Sequence, residues 1–214
     1  MRYLEQKLDF PDPAMADSDG LLAIGGDLSV ERLLLAYSSG IFPWYEEGQP
    51  ILWWSPDPRM VLFPEKLKVS KSLHKKIKND KFKITYNTAF PEVIENCSVV
   101  KRNGQNGTWI TNDMQKAYIE LHKQGHALSV EVWNNDVLVG GLYGIDLPRK
   151  KIFCGESMFS KESDASKVGF YHLVSEMKRK KYNLIDCQMY TSHLHSLGAE
   201  EISRESFLKF LELD

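Results

Sequence analysis

The sequence predicts an α+β protein, with a small N-terminal domain over residues 1–62 and a larger mixed domain over residues 63–214. Three observations carry that reading. The first 62 residues hold glycine- and proline-rich turns around one clear helical pattern. From residue 82 onward, apolar residues at helical spacing alternate regularly with short β-branched or alternating runs. The composition, 43% hydrophobic and 26% charged over 214 residues, is that of an ordinary folded protein and excludes wholesale disorder.

In chain order, Leu21 to Asp27 reads as a buried strand running into a tight turn. Ser29 is a good N-cap for a helix whose stripe is Leu33, Leu34, Ala36 and Tyr37, and Gly40 ends it. Between Gly40 and Arg59 lie three of the five tryptophans and four of the nine prolines. Proline fixes φ and restricts its predecessor, so this stretch is expected to be neither helix nor central strand but a stiff, aromatic-lined segment. The vicinal Trp53 and Trp54 point in different directions, and one of them is expected to plug a buried seam. Lys66 to Lys83 carries eight lysines and one acid, Asp80, the one strongly polarised stretch of the chain.

Phe82 to Tyr86 is strand-like, and Phe90, Val93, Ile94 and Cys97 mark a short helix. Thr111 caps a helix with the face Met114, Ala117, Tyr118 and Leu121, closed by Gly125. Leu128 to Trp133, Val137 to Ile145 and Ile152 to Glu156 read as three strands joined by tight turns. Ser166 is the expected cap of a helix to about Lys181, followed by a strand from Leu184 to Met189. A short helix around His193 to Leu197 ends at Gly198, and Ser203 caps the last helix. Two helices, a three-strand meander, a helix and a further strand is the order of the Gcn5-related acetyltransferase architecture. That fold cradles the coenzyme A pyrophosphate on a glycine-rich turn after the fourth strand. The corresponding segment here, Ser157 to Lys167, has no glycine. The C-terminal domain is therefore expected to be acetyltransferase-like, of GNAT type, and to lack the coenzyme A loop.

A net charge of −2 argues against a generally basic nucleic-acid coat protein and leaves a local basic patch open. No apolar run approaches the ~18 residues a membrane span needs, and the N-terminus lacks the build of a signal peptide. Cys97, Cys154 and Cys187 are too scattered for a disulfide framework, so buried reduced thiols in a cytoplasmic protein are expected.

Glu156 ends one strand, and Asp186 and Gln188 alternate on another, sharing a face at period two. Inward Asp and Gln in an apolar strand need partners. Asp186 alone would suit a purely structural bond; with Gln188 and Glu156 nearby the three favour a catalytic site. A metal reading joining Cys154, Cys187, His193 and His195 is disfavoured, because i and i+2 on a helix do not face each other. No nucleophile elbow is present. Lys71, Lys75 and Lys78 suit a solvated helix face or phosphate contacts, and adjoining tryptophans favour the latter, since an indole stacks on a base. Trp109, immediately before a helix cap, is a second candidate for such stacking.

Together these segments resemble the bacterial leucyl/phenylalanyl-tRNA–protein transferases. The matching strings include Gly20-Leu-Leu-Ala-Ile-Gly-Gly-Asp27, Gly40-Ile-Phe-Pro-Trp44, Ile51-Leu-Trp-Trp-Ser-Pro-Asp-Pro-Arg59, Gly107-Thr-Trp-Ile-Thr111, Phe153-Cys-Gly-Glu-Ser-Met-Phe-Ser160, Leu184-Ile-Asp-Cys-Gln188 and His193-Leu-His-Ser-Leu-Gly198. They run in the family's order over almost the whole chain. The resemblance implies an enzyme that moves Leu or Phe, and less readily Met, from aminoacyl-tRNA to the N-terminal Arg or Lys of a protein. That modification marks the acceptor for N-end rule degradation. It implies that Trp44 and Trp109 hold the 3′-terminal adenosine and that Lys71, Lys75 and Lys78 lie along the acceptor stem. Several of those basic positions are often Arg in the family; Lys keeps the point charge without the bidentate geometry. An aminoacyl pocket of Leu142, Phe153, Met158, Phe170, Leu173 and Ile185 is implied, with Gln188 orienting the attacking amine, Asp186 polarising Gln188, and Glu156 holding an ammonium. No cofactor or metal is implied, because an aminoacyl ester is already activated. Alanine at Asp186 or Gln188 is then expected to slow transfer and leave the fold intact. A cell-wall aminoacyltransferase would share the fold but usually has twin domains, for which the chain is too short; an RNA-binding module would leave Asp186 and Gln188 structural.

Overall fold

The computed structural model describes residues 2–79, 81–100 and 108–212; of the features above, Asp80 and Gly107 lie outside them. Strand β1 (Arg2–Leu4) pairs parallel with β2 (Leu21–Gly25), helix α1 (Val30–Ser38) follows, and β3 (Phe42–Pro43) and β4 (Leu52–Trp54) complete a four-stranded sheet of order β1-β2-β4-β3. Helix α1 forms as its sequence dictates. The Ser29 hydroxyl accepts from the Arg32 N–H, Leu33, Ala36 and Tyr37 are buried, and Gly40 turns the chain at φ 76°.

The aromatic stretch is more regular than its prolines suggest. Strand β4 is interior, paired with β2 on one side and β3 on the other. Pro50 and Pro56 fall outside its three residues, and Pro43 sits on the edge strand β3, where a missing N–H costs little. Trp53 is wholly buried and donates to the Gly25 carbonyl (2.8 Å), while half-buried Trp54 donates to the Trp44 carbonyl (2.7 Å).

The chain crosses to a second sheet at β5 (Arg59–Leu62). It continues through α2 (Lys71–Lys78), β6 (Lys83–Tyr86), α3 (Phe90–Ser98), α4 (Asn112–Lys123), β7 (Ala127–Asn134), β8 (Val137–Leu147), β9 (Ile152–Ser160), α5 (Ala165–Arg179), β10 (Leu184–Gln188), α6 (Ser192–Ser196), β11 (Glu200–Ile202) and α7 (Arg204–Glu212). The seven strands run β11-β5-β10-β9-β8-β7-β6, antiparallel through the β6–β9 meander and parallel between β9 and β10. This is the expected acetyltransferase-like succession, extended by β5 and β11, which no sequence pattern announced. Helices α3 and α4 cover one face and join α1 and the small sheet in one core; α5 covers the other face over a second core.

Three local expectations are corrected. Strand β9 runs on to Ser160, so Glu156 lies within it rather than at its end. Helix α5 begins at Ala165 after a left-handed Asp164, and Ser166 sits inside it, its N–H bonded to the Ser160 hydroxyl (3.1 Å) instead of serving as the cap. Asp186 and Gln188 do not share a regular face. The β10–β5 register shifts between them and Gln188 adopts a left-handed φ of 61°.

Candidate active site

Two β-bulges on neighbouring strands build the site. On β9, Ser157 pairs with Tyr143 and Gly155 with Gly144, leaving Glu156 as the extra residue. On β10, Asp186 pairs with Val61 and Gln188 with Met60, leaving Cys187 extra. A bulge bends its strand and re-aims the side chains beside it. The first bulge needs Gly144, where a Cβ would stand 2.1 Å from the Cys154 carbonyl oxygen. The β9–β10 ladder runs from Leu184–Ile152 to Asp186–Cys154 and stops where the bulges begin. A cavity of about 610 Å³ opens there.

All six expected pocket residues, Leu142, Phe153, Met158, Phe170, Leu173 and Ile185, line this cavity, together with Trp44, Trp109, Glu156 and Gln188. Exposed Met189 and Tyr190 stand at its edge with half-buried His193. Glu156 is the sole carboxylate in the lining among the described residues. Trp44 is braced edge-on by Trp54, with ring centroids 5.7 Å apart, and a smaller cavity of about 250 Å³ shares both Trp44 and Trp109. The lining thus combines apolar side chains, two indoles and one carboxyl.

That carboxyl is heavily hydrogen-bonded. Glu156 Oε1 accepts from the Tyr37 hydroxyl (2.7 Å) and the Gln188 side-chain amide (2.8 Å), and Oε2 accepts from Tyr118 (3.2 Å). Burial pushes the carboxyl up from 4.5 to about 7. The bonds from Tyr37, Gln188 and Tyr118 pull it down, and the Asp186 charge adds to the rise. Burial and the Glu156 charge hold both tyrosine hydroxyls well above their ordinary range. Burial, with help from Lys167, holds the His193 imidazole below its usual value.

Asp186 stands apart from the cavity. Wholly buried, it receives Arg59 through Nε (2.8 Å) and Nη2 (2.7 Å), and its Oδ1 also accepts the Gln188 backbone N–H (2.9 Å). The Arg59 guanidinium lies between the rings of Phe42 (4.8 Å) and Phe207 (4.6 Å) and donates to the Gly40 carbonyl (3.1 Å). Asp186 therefore fixes the backbone of Gln188 at the bulge, while the Gln188 side chain answers to Glu156. Asp186 thus meets Gln188 through the backbone N–H, and the Gln188 side-chain amide bonds to Glu156.

Lys71, Lys75 and Lys78 are exposed on α2 at i, i+4 and i+7, one face of the helix. They do not line the cavity. Helix α2 is tied to the start of α5 by Lys76, which pairs with Asp164 (2.6 Å), as does Lys167 (3.0 Å). Sequence reasoning missed Tyr37, Tyr118 and Arg59 as site residues. The first two were visible only as members of apolar helical stripes, although a buried Tyr hydroxyl needs a partner. Among the described residues no cluster of three His, Cys, Asp or Glu could hold a metal ion, and Cys97, Cys154 and Cys187 are all buried. No helix among them is long and apolar enough to cross a membrane.

Comparison with known proteins adds an independent finding. A family profile described as leucyl/phenylalanyl-tRNA protein transferase matches residues 61–212, and one for the N-terminal domain of the same proteins matches residues 26–57. A leucyl/phenylalanyl-tRNA–protein transferase of Flavobacterium johnsoniae is 61% identical over 99% of this chain and 99% of its own length. Proteins of the same name from Christiangramia forsetii and Flavobacterium psychrophilum are each 59% identical over 99% of this chain and 100% of their own.

Proposed function

The chain belongs to the leucyl/phenylalanyl-tRNA protein transferase family, a family of aminoacyltransferases, and on that premise we propose the reaction it carries out. It transfers Leu or Phe, and less readily Met, from aminoacyl-tRNA to the N-terminal Arg or Lys of an acceptor protein. The product is an elongated N-terminus that directs the acceptor to N-end rule degradation. The observation that carries this reading is one cavity in which an apolar end, a tryptophan pair and a lone carboxylate adjoin.

An apolar side chain of the donor amino acid fits the end formed by Leu142, Phe153, Met158, Phe170, Leu173 and Ile185. The faces of Trp44 and Trp109 offer stacking for the terminal adenine. Lys71, Lys75 and Lys78 supply positive charge for the acceptor stem. The ester is already activated, and the obstacle is the acceptor α-amine, which is protonated at neutral pH and must lose a proton before it attacks. Glu156, with a proton affinity poised near neutrality, suits an ammonium partner, and the carbonyl oxygen of Gln188 is offered to the same nitrogen. Holding ester and amine together supplies most of the acceleration. The test is transfer of radiolabelled Leu from charged tRNA to an Arg-initiated peptide, with an Asp-initiated peptide as control. Labelling of the Arg peptide alone is expected; equal labelling of both, or of neither, contradicts the reading.

A further inference from the structure

Three side chains meet through their oxygens behind the cavity wall. The Tyr37 hydroxyl lies 2.7 Å from Glu156 Oε1, the Tyr118 hydroxyl lies 3.2 Å from Oε2, and the two hydroxyls are themselves in hydrogen-bond contact. Both tyrosines are buried in the core, on α1 and α4, and neither lines the cavity. They reach Glu156 from the core.

Counting hydrogens decides what this arrangement holds. Each contact needs one hydrogen between its two oxygens, and a hydroxyl brings one while an ionised carboxylate brings none. Two hydroxyls thus supply two hydrogens for three contacts. With Glu156 protonated the ring closes: Glu156 Oε2–H donates to Tyr118, Tyr118 to Tyr37, and Tyr37 to Glu156 Oε1, which still accepts from Gln188. With Glu156 ionised, one contact sets lone pair against lone pair in a buried place, which is costly. The other titratable groups beside this ring are Asp186 on β10, paired with Arg59 of β5, Cys154 on β9, a buried thiol, and Tyr143 of β8, edge-on to Tyr118 at 5.8 Å between centroids.

We propose that Tyr37 and Tyr118 are positioning residues that make Glu156 one member of a three-proton ring, and that this ring takes the proton of the attacking α-ammonium. The proposal rests on the transferase reading of the cavity given above. An ammonium N–H bond breaks and its proton passes to the Glu156 carboxylate, closing the ring. The freed nitrogen lone pair forms a bond to the ester carbonyl carbon. The carbon–oxygen bond to the ribose then breaks, and the ribose oxygen leaves with a second proton from the same nitrogen. Glu156 returns its proton to solvent, giving one proton released per amide formed, as an ester reacting with an ammonium requires.

The ring and an ordinary pair of donors predict opposite shifts. Tyr37→Phe or Tyr118→Phe removes the bare contact from the ionised state and leaves a surplus proton in the protonated state. In the ring the bare contact of the ionised state outweighs the downward pull of each tyrosine bond, so Glu156 is predicted to titrate lower in either variant, by about one pH unit. Simple donors to a carboxylate predict that it titrates higher once a donor is lost. The experiment is carbon-13 NMR titration of the full chain labelled at the glutamate carboxyl, with the Glu156 signal assigned by its loss in Glu156→Gln. The acid limb of single-turnover transfer is then recorded for the same proteins. A lower midpoint in both variants, tracked by the acid limb, supports the ring; a midpoint that rises or stays in place overturns it. Phenylalanine keeps the ring packing, and two variants on different helices guard against a fold defect in one. If the titration falls as predicted but wild-type protein transfers nothing at any pH, the transferase reading has failed and the ring has not.

Discussion

Truncating Asp186 tests how the site is held together. Asp186 and Arg59 are each about 1% exposed at the side chain and bonded twice, at 2.8 and 2.7 Å. Alanine at 186 strands a guanidinium between Phe42 and Phe207 with the Gly40 carbonyl as its remaining bonded partner. Breaking one side of a buried pair costs about 3–5 kcal/mol. The orphaned Gln188 N–H adds about 1 kcal/mol. For a chain of this size each kcal/mol lowers the melting temperature by about 2–4 °C, so a fall of roughly 10–20 °C is expected in a thermal scan. This revises the expectation from sequence that Asp186→Ala leaves the fold intact. Replacing both partners, Arg59→Met with Asp186→Leu, should cost less than Asp186→Ala alone, because no unpaired charge remains. A fall of less than about 3 °C for Asp186→Ala, or a double variant worse than the single, refutes the argument.

Other outcomes follow from the same geometry. Glu156 has a folded value of about 7 against 4.5 unfolded, so its contribution is fully present below about 4.5 and is lost as pH rises through about 7. Urea unfolding should show wild type losing ground to Glu156→Gln by on the order of 3 kcal/mol between acid and alkaline pH; parallel curves would contradict the burial of this carboxyl. Replacing Lys71, Lys75 and Lys78 with Ala should weaken tRNA binding and flatten its salt dependence by roughly one unit of log–log slope per lysine. Binding of a small aminoacyl-adenosine analogue should barely change, and equal loss for both ligands would place the lysines elsewhere. Met158→Trp narrows the apolar end of the cavity and should shift competition between Leu and Phe towards Leu by about 10-fold or more. An unchanged ratio would mean that this wall does not meet the donor side chain.

Much of the scaffold was legible because it is local. Ser29, Thr111 and Ser203 accept from backbone N–H groups at the starts of α1, α4 and α7, and an N-cap is a short-range signal. The six apolar residues expected in one pocket do share one cavity. What failed was the period-two reading of β10 and the end expected for β9 at Glu156. A bulge inserts one residue and shifts every side chain after it, and the local hint, Gly144 and Gly155 within strands, was not used. Helical periodicity assigned Tyr37 and Tyr118 to the core correctly but is blind to where their hydroxyls point. The Arg59–Asp186 pair joins residues 127 apart in the chain, and no pattern in either segment announces the other.

The central claim is that Glu156, set at the bulge and facing an apolar cavity, receives the proton of the attacking amine. The most direct measurement is the single-turnover rate of Leu transfer from charged tRNA to an Arg-initiated peptide, at saturating concentrations of both, compared between wild type and Glu156→Gln. Glutamine keeps the shape and can bond as the protonated carboxyl does, but it takes up no proton. A loss of about 10²-fold or more is expected, with tRNA affinity unchanged and the acid limb of the wild-type profile absent. Transfer by Glu156→Gln at close to the wild-type rate, with the acid limb intact, would contradict the account.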